Sequence, residues 1–272
     1  MNTTNNSPQA AQMADESMVR CLHAQALAIW PQEQPLLRAY NVGLHPKILD
    51  MGCGTGEVTH RLSEIWPGCQ IDGVDLIQSH LDLAEKLARD VSMNATFHCE
   101  DAYSVALPEN AYDLVVCRHL LQAIPDPKSL LARFQGWLRP GGQVHILAED
   151  YGLMHFHPTT VDLDRFWREG PWKFAELINT DLRSGRKVGT WLAELGFQDI
   201  AVSYLTIDSF RVKTHTLKQI FQAWADGFSQ SIVDHTDFSR EEVAQAWNDI
   251  QSCLDDPNGY AVWHVPIWTA RK

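Results

Sequence analysis

The sequence predicts an α/β fold in which a doubly wound, mainly parallel sheet is covered by helices on both faces. Three observations carry this. Apolar runs of strand length recur at residues 47–51, 70–74, 95–99, 113–117 and 143–148, and segments with apolar residues at helical spacing separate them. A glycine-rich stretch, residues 52–56, follows the first run directly and opens a helix. Acidic residues, Asp75 and Glu100-Asp101, close the second and third runs, at the carboxyl ends of strands where such sheets bind ligands.

Residues 1–17 are rich in Asn, Thr, Gln and Ser without an apolar period, and read as a disordered tail. From Met18, the residues Val19, Leu22, Ala26, Leu27 and Trp30 recur at helical spacing, and Pro31 and Pro35 are expected to break that helix. A short helical lid over residues 18–44 results. The core, residues 45–150, then alternates. Val58, Leu62 and Ile65 mark a helix stopped by Trp66-Pro67-Gly68; Ile77, Leu81, Ala84, Leu87 and Ala88 share the face of the next. Leu130, Leu131, Phe134 and Trp137 mark a third, and Pro140-Gly141-Gly142 ends it.

After Ala148 the pattern changes. Residues 161–178 are aromatic-rich and interrupted by Gly170-Pro171, which reads as a divided helix within an insertion over 151–186. Val188, Trp191, Leu192 and Leu195 mark a helix closed by Gly196, and 200–207 is a sixth strand. Two helices, one carried by Leu217, Ile220, Phe221 and Trp224 and one by Val243, Trp247, Ile250 and Leu254, fill a second insertion over 208–258. The apolar last strand, 260–270, suits the interior of a sheet rather than its edge. Residues 18–272 are therefore expected to form a single domain with helical cap insertions.

Composition narrows the partners. With 34 acidic against 22 basic residues the net charge is -12, and no basic run offers a stripe for phosphates, so a nucleic-acid partner is not expected. No apolar run approaches the roughly 18 residues needed to span a bilayer, and the first residues lack the order of a signal peptide, so a cytoplasmic protein without membrane contact is expected. The six cysteines are scattered, without CxxC or zinc spacing, and read as reduced thiols; no metal is expected.

The glycine loop is the most specific signal. A dinucleotide fingerprint, GxGxxG, fails because counting from Gly52 puts Glu57 at the third glycine, where its carboxylate would repel a pyrophosphate. No GxxxxGK[ST] is present either. Instead, Ile48-Leu49-Asp50-Met51-Gly52-Cys53-Gly54-Thr55-Gly56 resembles the LDxGCGTG signature of class I S-adenosylmethionine-dependent methyltransferases, and Leu138-Arg139-Pro140-Gly141-Gly142 resembles that family's LKPGG turn. The resemblance extends over roughly residues 45–150 and implies a Rossmann-like, seven-stranded sheet, its last strand antiparallel and inserted between strands five and six. It also implies that Gly52, Cys53, Gly54 and Gly56 pass under the methionine and ribose, with Asp50 beside them. By the same resemblance Asp75, followed by Leu76, accepts from the ribose hydroxyls. Asp101 with Ala102 meets the adenine, and Arg118 borders the methionine end. Asp50 has an alternative role as a cap of the turn, and Glu100 is a rival of Asp101.

Methyl transfer needs an aligned acceptor, exclusion of water and, for a hydroxyl or ammonium, a group to take a proton. His119, just after the fourth strand, is the first candidate base; Glu149, Tyr151 and His155 follow the fifth strand and supply further acid-base groups. The expected acceptor is a small organic molecule methylated on O, N or C, and the expected assembly a monomer or homodimer. The alternatives are a protein methyltransferase, which needs an open acidic groove, and a non-methylating protein that keeps S-adenosylmethionine.

Overall fold

The computed structural model describes residues 13–272 of the chain. The tail assigned to 1–17 thus lies mostly outside the described residues, but its end is ordered: α1 (Glu16–Arg38) starts with Asp15 as N-cap, whose Oδ1 accepts from the Ser17 N–H at 2.9 Å. The helix is not short. It runs through both prolines, although each removes a backbone hydrogen bond and costs about 3 kcal/mol in an isolated helix. Tertiary bonds made between them compensate. Gln32 brackets Thr206, donating to its carbonyl at 2.8 Å and accepting from its N–H at 3.1 Å, and Glu33 is fully buried against Arg118 and His145.

The core alternates as the periodicity requires: β1 (Lys47–Met51), α2 (Glu57–Ile65), β2 (Gln70–Asp75), α3 (Gln78–Asp90), β3 (Ala95–Cys99), β4 (Tyr112–Arg118), α4 (Pro127–Trp137) and β5 (Leu138–Leu147). The remainder comprises β6 (Met154–His157), α5 (Leu163–Glu169), α6 (Pro171–Leu177), α7 (Val188–Glu194), β7 (Gln198–Asp208), α8 (Thr214–His235), α9 (Arg240–Asp255) and β8 (Tyr260–Arg271). Gly170 divides α5 from α6, where the sequence placed the break. The strands β3-β2-β1-β4-β5 are parallel, and β8 runs antiparallel between β5 and β7. That is the inserted last strand the resemblance implied. The sheet has eight strands rather than seven, because β6 pairs antiparallel with the start of β8; its four residues, MHFH, are too few to show a period.

Side chains alternate across the parallel strands. Ile48, Ile71, Leu114 and Val116 pack under Trp30, Leu37 and Leu62 from α1 and α2, whereas Leu49, Val115, Cys117 and Ile146 pack under Phe134, Leu192 and Val188 from α4 and α7. A third apolar cluster lies beyond the strand ends. There α1, α5, α8 and α9 stack Met18, Phe166, Trp224 and Trp247 against Ile207, Trp263 and Val265. The cap therefore grows out of β7 and β8, and α1 joins it to the core.

Gly56, the N-cap of α2, has φ 78°, and a Cβ there would lie 2.9 Å from the Ala84 Cβ of α3. Gly56→Ala is expected to lower stability by about 2 kcal/mol, combining left-handed backbone strain with overpacking. Urea unfolding measures this; an unchanged midpoint would show that the α2–α3 contact gives way without cost.

Candidate active site

The turn after β1 is shaped by glycine. Gly52, Gly54 and Gly56 all have positive φ, and the Gly54 N–H donates to Asp75 Oδ2 at 2.8 Å while Asp75 Oδ1 accepts from the Ile77 N–H at 3.0 Å. The end of β2 is thereby fixed to the loop after β1. A solvent-open cavity, about 820 Å³ with the open solvent included, lies over these strand ends. Gly52, Gly54, Asp75, Leu76, Asp101, Ala102, Arg118 and His119 all reach its wall, together with Glu100.

Three of the loop residues assigned to ligand binding do not line it. Gly56 packs against α3, Cys53 turns its thiol toward Gly73, and Asp50 lies behind the loop with its Oδ2 accepting from the Thr59 hydroxyl at 2.6 Å. Asp50 is 2 % exposed. Burial above all raises its pKa to about 6, against the lowering effects of the Thr59 bond and the Arg118 charge.

Arg118 ends β4. Its Nε donates to Glu33 Oε1 at 2.8 Å, and its Nη2 has no partner among the described residues. His145 Nε2 shares the same carboxylate oxygen at 2.9 Å, and Tyr40 OH lies 2.7 Å from His145 Nδ1. Burial, the largest single influence, would raise the Glu33 carboxyl, but the Arg118 charge and the His145 bond together hold it below the usual carboxylate range. Glu33, His145 and Tyr40 were not singled out in the sequence. A signal existed: Glu33 continues the buried stripe Met18, Cys21, Gln25, Ile29, Leu37, where a carboxylate needs a partner. His80 was missed too; it lines the cavity, is 2 % exposed, and its Nε2 has no partner among the described residues.

A second cavity, of about 760 Å³, opens beside the first. Met13, Leu22, His119 and Ala123 line both. His119 has φ 53°, an uncommon backbone for a residue with a side chain, and its Nδ1 lies 2.5 Å from Glu149 Oε1. An ionised Glu149 only accepts, so Nδ1 donates and Nε2 keeps its lone pair in the neutral imidazole. Neither His119 Nε2 nor Glu149 Oε2 has a hydrogen-bond partner among the described residues. Tyr151 lines the second cavity, but burial first, then the Glu149 charge, push its phenol well above its ordinary value, which makes it a donor rather than a base. His155 is exposed on β6 and reaches neither cavity; β6 alternates, and Met154 takes the inward position. Among the described residues no cluster of three or more His, Cys, Asp or Glu is placed to hold a metal, and no helix is long and apolar enough to cross a membrane.

Residues 48–142 match the family described as a methyltransferase domain. A ubiquinone biosynthesis O-methyltransferase of Coxiella burnetii is 29% identical over 97 residues, 36% of this chain and 41% of that protein. Phosphoethanolamine N-methyltransferase 1 of Arabidopsis thaliana is 25% identical over 224 residues, 80% of this chain and again 41% of that protein. The matches thus span about two fifths of the length of these relatives. Among solved structures, Haemonchus contortus phosphoethanolamine N-methyltransferase 2, in complex with phosphomonomethylethanolamine and S-adenosylhomocysteine, aligns with a TM-score of 0.61 at 19% identity, over 100% of this chain and 61% of that one. Residues 48–142 thus carry the match to a methyltransferase domain, and the chain shares the fold of the solved methyltransferase.

The raised pKa of Asp50 has a sign. The folded value, about 6, lies above the ordinary aspartate value of 3.8, so folding is penalised at pH above 6 and the penalty fades as pH falls toward 3.8. Asp50→Asn is expected to stabilise the protein by about 1–3 kcal/mol near neutral pH, and to lose that advantage in acid at roughly pH 4. Urea titrations at the two pH values decide it; an advantage that grows on acidification would contradict the assignment.

Proposed function

We propose that this protein transfers a methyl group from S-adenosylmethionine to a small organic molecule, with the donor in the cavity over β1, β2 and β4 and the acceptor in the cavity under the cap. The observation that carries the reading is that the two cavities meet at His119, whose Nδ1 is held by Glu149. The donor-side wall suits the ligand. Asp75 offers carboxylate lone pairs beside the loop, Asp101 and Glu100 stand at the adjoining strand end, and Arg118 keeps Nη2 for a carboxylate. When bound, S-adenosylmethionine supplies an electrophilic methyl on a sulfonium sulfur.

The chain's own residues then position and deprotonate. Glu149 fixes the tautomer of His119, so that Nε2 can take the proton of an acceptor O–H or N–H. Leu22 and Met13 of the leading segment help cover the junction and exclude water. The acceptor cavity is walled by Tyr151, Trp167, Trp224 and Trp247, which favours a small molecule over the open acidic groove a peptide needs.

Incubation with methyl-labelled S-adenosylmethionine and a panel of small molecules tests the reading directly, through label transfer and release of S-adenosylhomocysteine. Absence of both across the panel, with no donor binding by calorimetry, would reject it. Asp75→Ala is expected to weaken S-adenosylmethionine binding by about 1.5–3 kcal/mol in a folded protein, the loss of charge-assisted hydrogen bonds. His119→Ala, in turn, should lower kcat about 10²–10⁴-fold with donor affinity retained. Equal loss of donor affinity and kcat would make His119 a binding residue instead.

A further inference from the structure

Resting on that reading, we infer that the acceptor is an uncharged, flat, largely apolar molecule presenting a hydroxyl, of the phenol or enol class, and not a phosphorylated, carboxylated or ammonium-bearing one. Three features of the cap cavity lead there.

The first is charge. Among the described residues no Lys or Arg lines this cavity, and residues 1–12 contain neither in their sequence. Among the described residues the one carboxylate on its wall is Glu149, 1 % exposed. Arg183, next to the lining residue Leu182, is ion-paired with Glu176 and Asp181, and Arg186 makes two bonds to Asp150 at 2.6 and 2.7 Å. An anionic acceptor would therefore be desolvated beside a carboxylate with no cation to meet it.

The second is the packing of the aromatic rings. A cage for an ammonium needs faces set around a void wide enough for the cation. Here the rings fill one another's space: Tyr151 lies 5.1 Å from Trp224 and 5.6 Å from Trp167, and Trp167 lies 5.7 Å from Trp247, in tilted or edge-to-face contacts. Together with Phe228 and Phe174 they make much of the wall apolar, beside the polar Gln25 and Gln122, which suits stacking and edge contacts with a planar, largely apolar body.

The third is the base. A buried His–Glu pair is of use to an acceptor that must lose a proton, as a hydroxyl must. In the balanced step the acceptor oxygen yields its proton to His119 Nε2 and forms the new C–O bond. The donor's C–S bond breaks with its electron pair left on sulfur, so the sulfonium charge is cancelled and the imidazolium's positive charge sits against Glu149.

Calorimetric titrations with 2-naphthol, 6-hydroxy-2-naphthoate, tyramine and phosphoethanolamine, each with and without saturating S-adenosylhomocysteine, test the inference. 2-Naphthol is expected to bind at least about tenfold more tightly than each charged probe. Phe228, half-buried, lines the acceptor cavity alone. Phe228→Ala should weaken 2-naphthol about fivefold, by loss of apolar contact, with S-adenosylhomocysteine affinity unchanged. Tighter binding of any charged probe, or no 2-naphthol binding, would overturn the inference. Failure of S-adenosylhomocysteine to bind, with 2-naphthol still bound, would instead reject the methyl-donor reading and leave the character of this cavity standing.

Discussion

The carboxylate of Glu33 has no solvent exposure, and the need to meet its charge organises the molecule around it. One oxygen accepts from Arg118 at the end of β4 and from His145 in β5, while the same residue sits in the helix that covers both cavities. A buried pair of this kind contributes little net stability against an apolar replacement, but loss of one partner costs about 3–5 kcal/mol because the other charge is stranded. Its consequence is therefore geometric. The direction of the Arg118 guanidinium is tied to this contact, and the register of α1 and its passage through Pro31 and Pro35 to it together with the Gln32 bonds to Thr206.

That tie explains what could and could not be read from the chain. The parallel core was legible because its strands are apolar runs buried on both faces, and the loop 52–56 because positive φ at Gly52, Gly54 and Gly56 admits few other residues. Local rules failed where tertiary bonds outweighed them: α1 outlasts its prolines through Gln32 and Glu33, and β6 exists by pairing with β8. The candidate site divides the same way. Asp75, Asp101 and Arg118 follow from their places at strand ends, and His119 with Glu149 from theirs. Glu33, Tyr40 and His145 depend on partners far away in sequence, and His155 was placed in a loop that the sheet draws to its surface.

The electrostatics of the two cavities differ. Around the cavity over β1, β2 and β4, Asp75, Glu100 and Asp101 outnumber Arg118, itself paired with Glu33, and Asp50 lies behind the loop with its pKa raised by burial. Across His119 the wall becomes aromatic, and its one carboxylate is occupied in orienting the imidazole. The boundary between these environments falls on a residue held at φ 53°, with its backbone N–H donating to the Leu147 carbonyl at 3.0 Å.

Where a donor lies relative to that boundary decides the role of His119. A crystal structure of the protein with S-adenosylhomocysteine measures it most directly. The adenine is expected beside Asp101 and Ala102, the ribose at Asp75, the carboxylate at Arg118 and the sulfur facing His119 at the junction of the two cavities. A ligand seated in the tryptophan-lined cavity, or one whose sulfur faces away from His119, would contradict that placement.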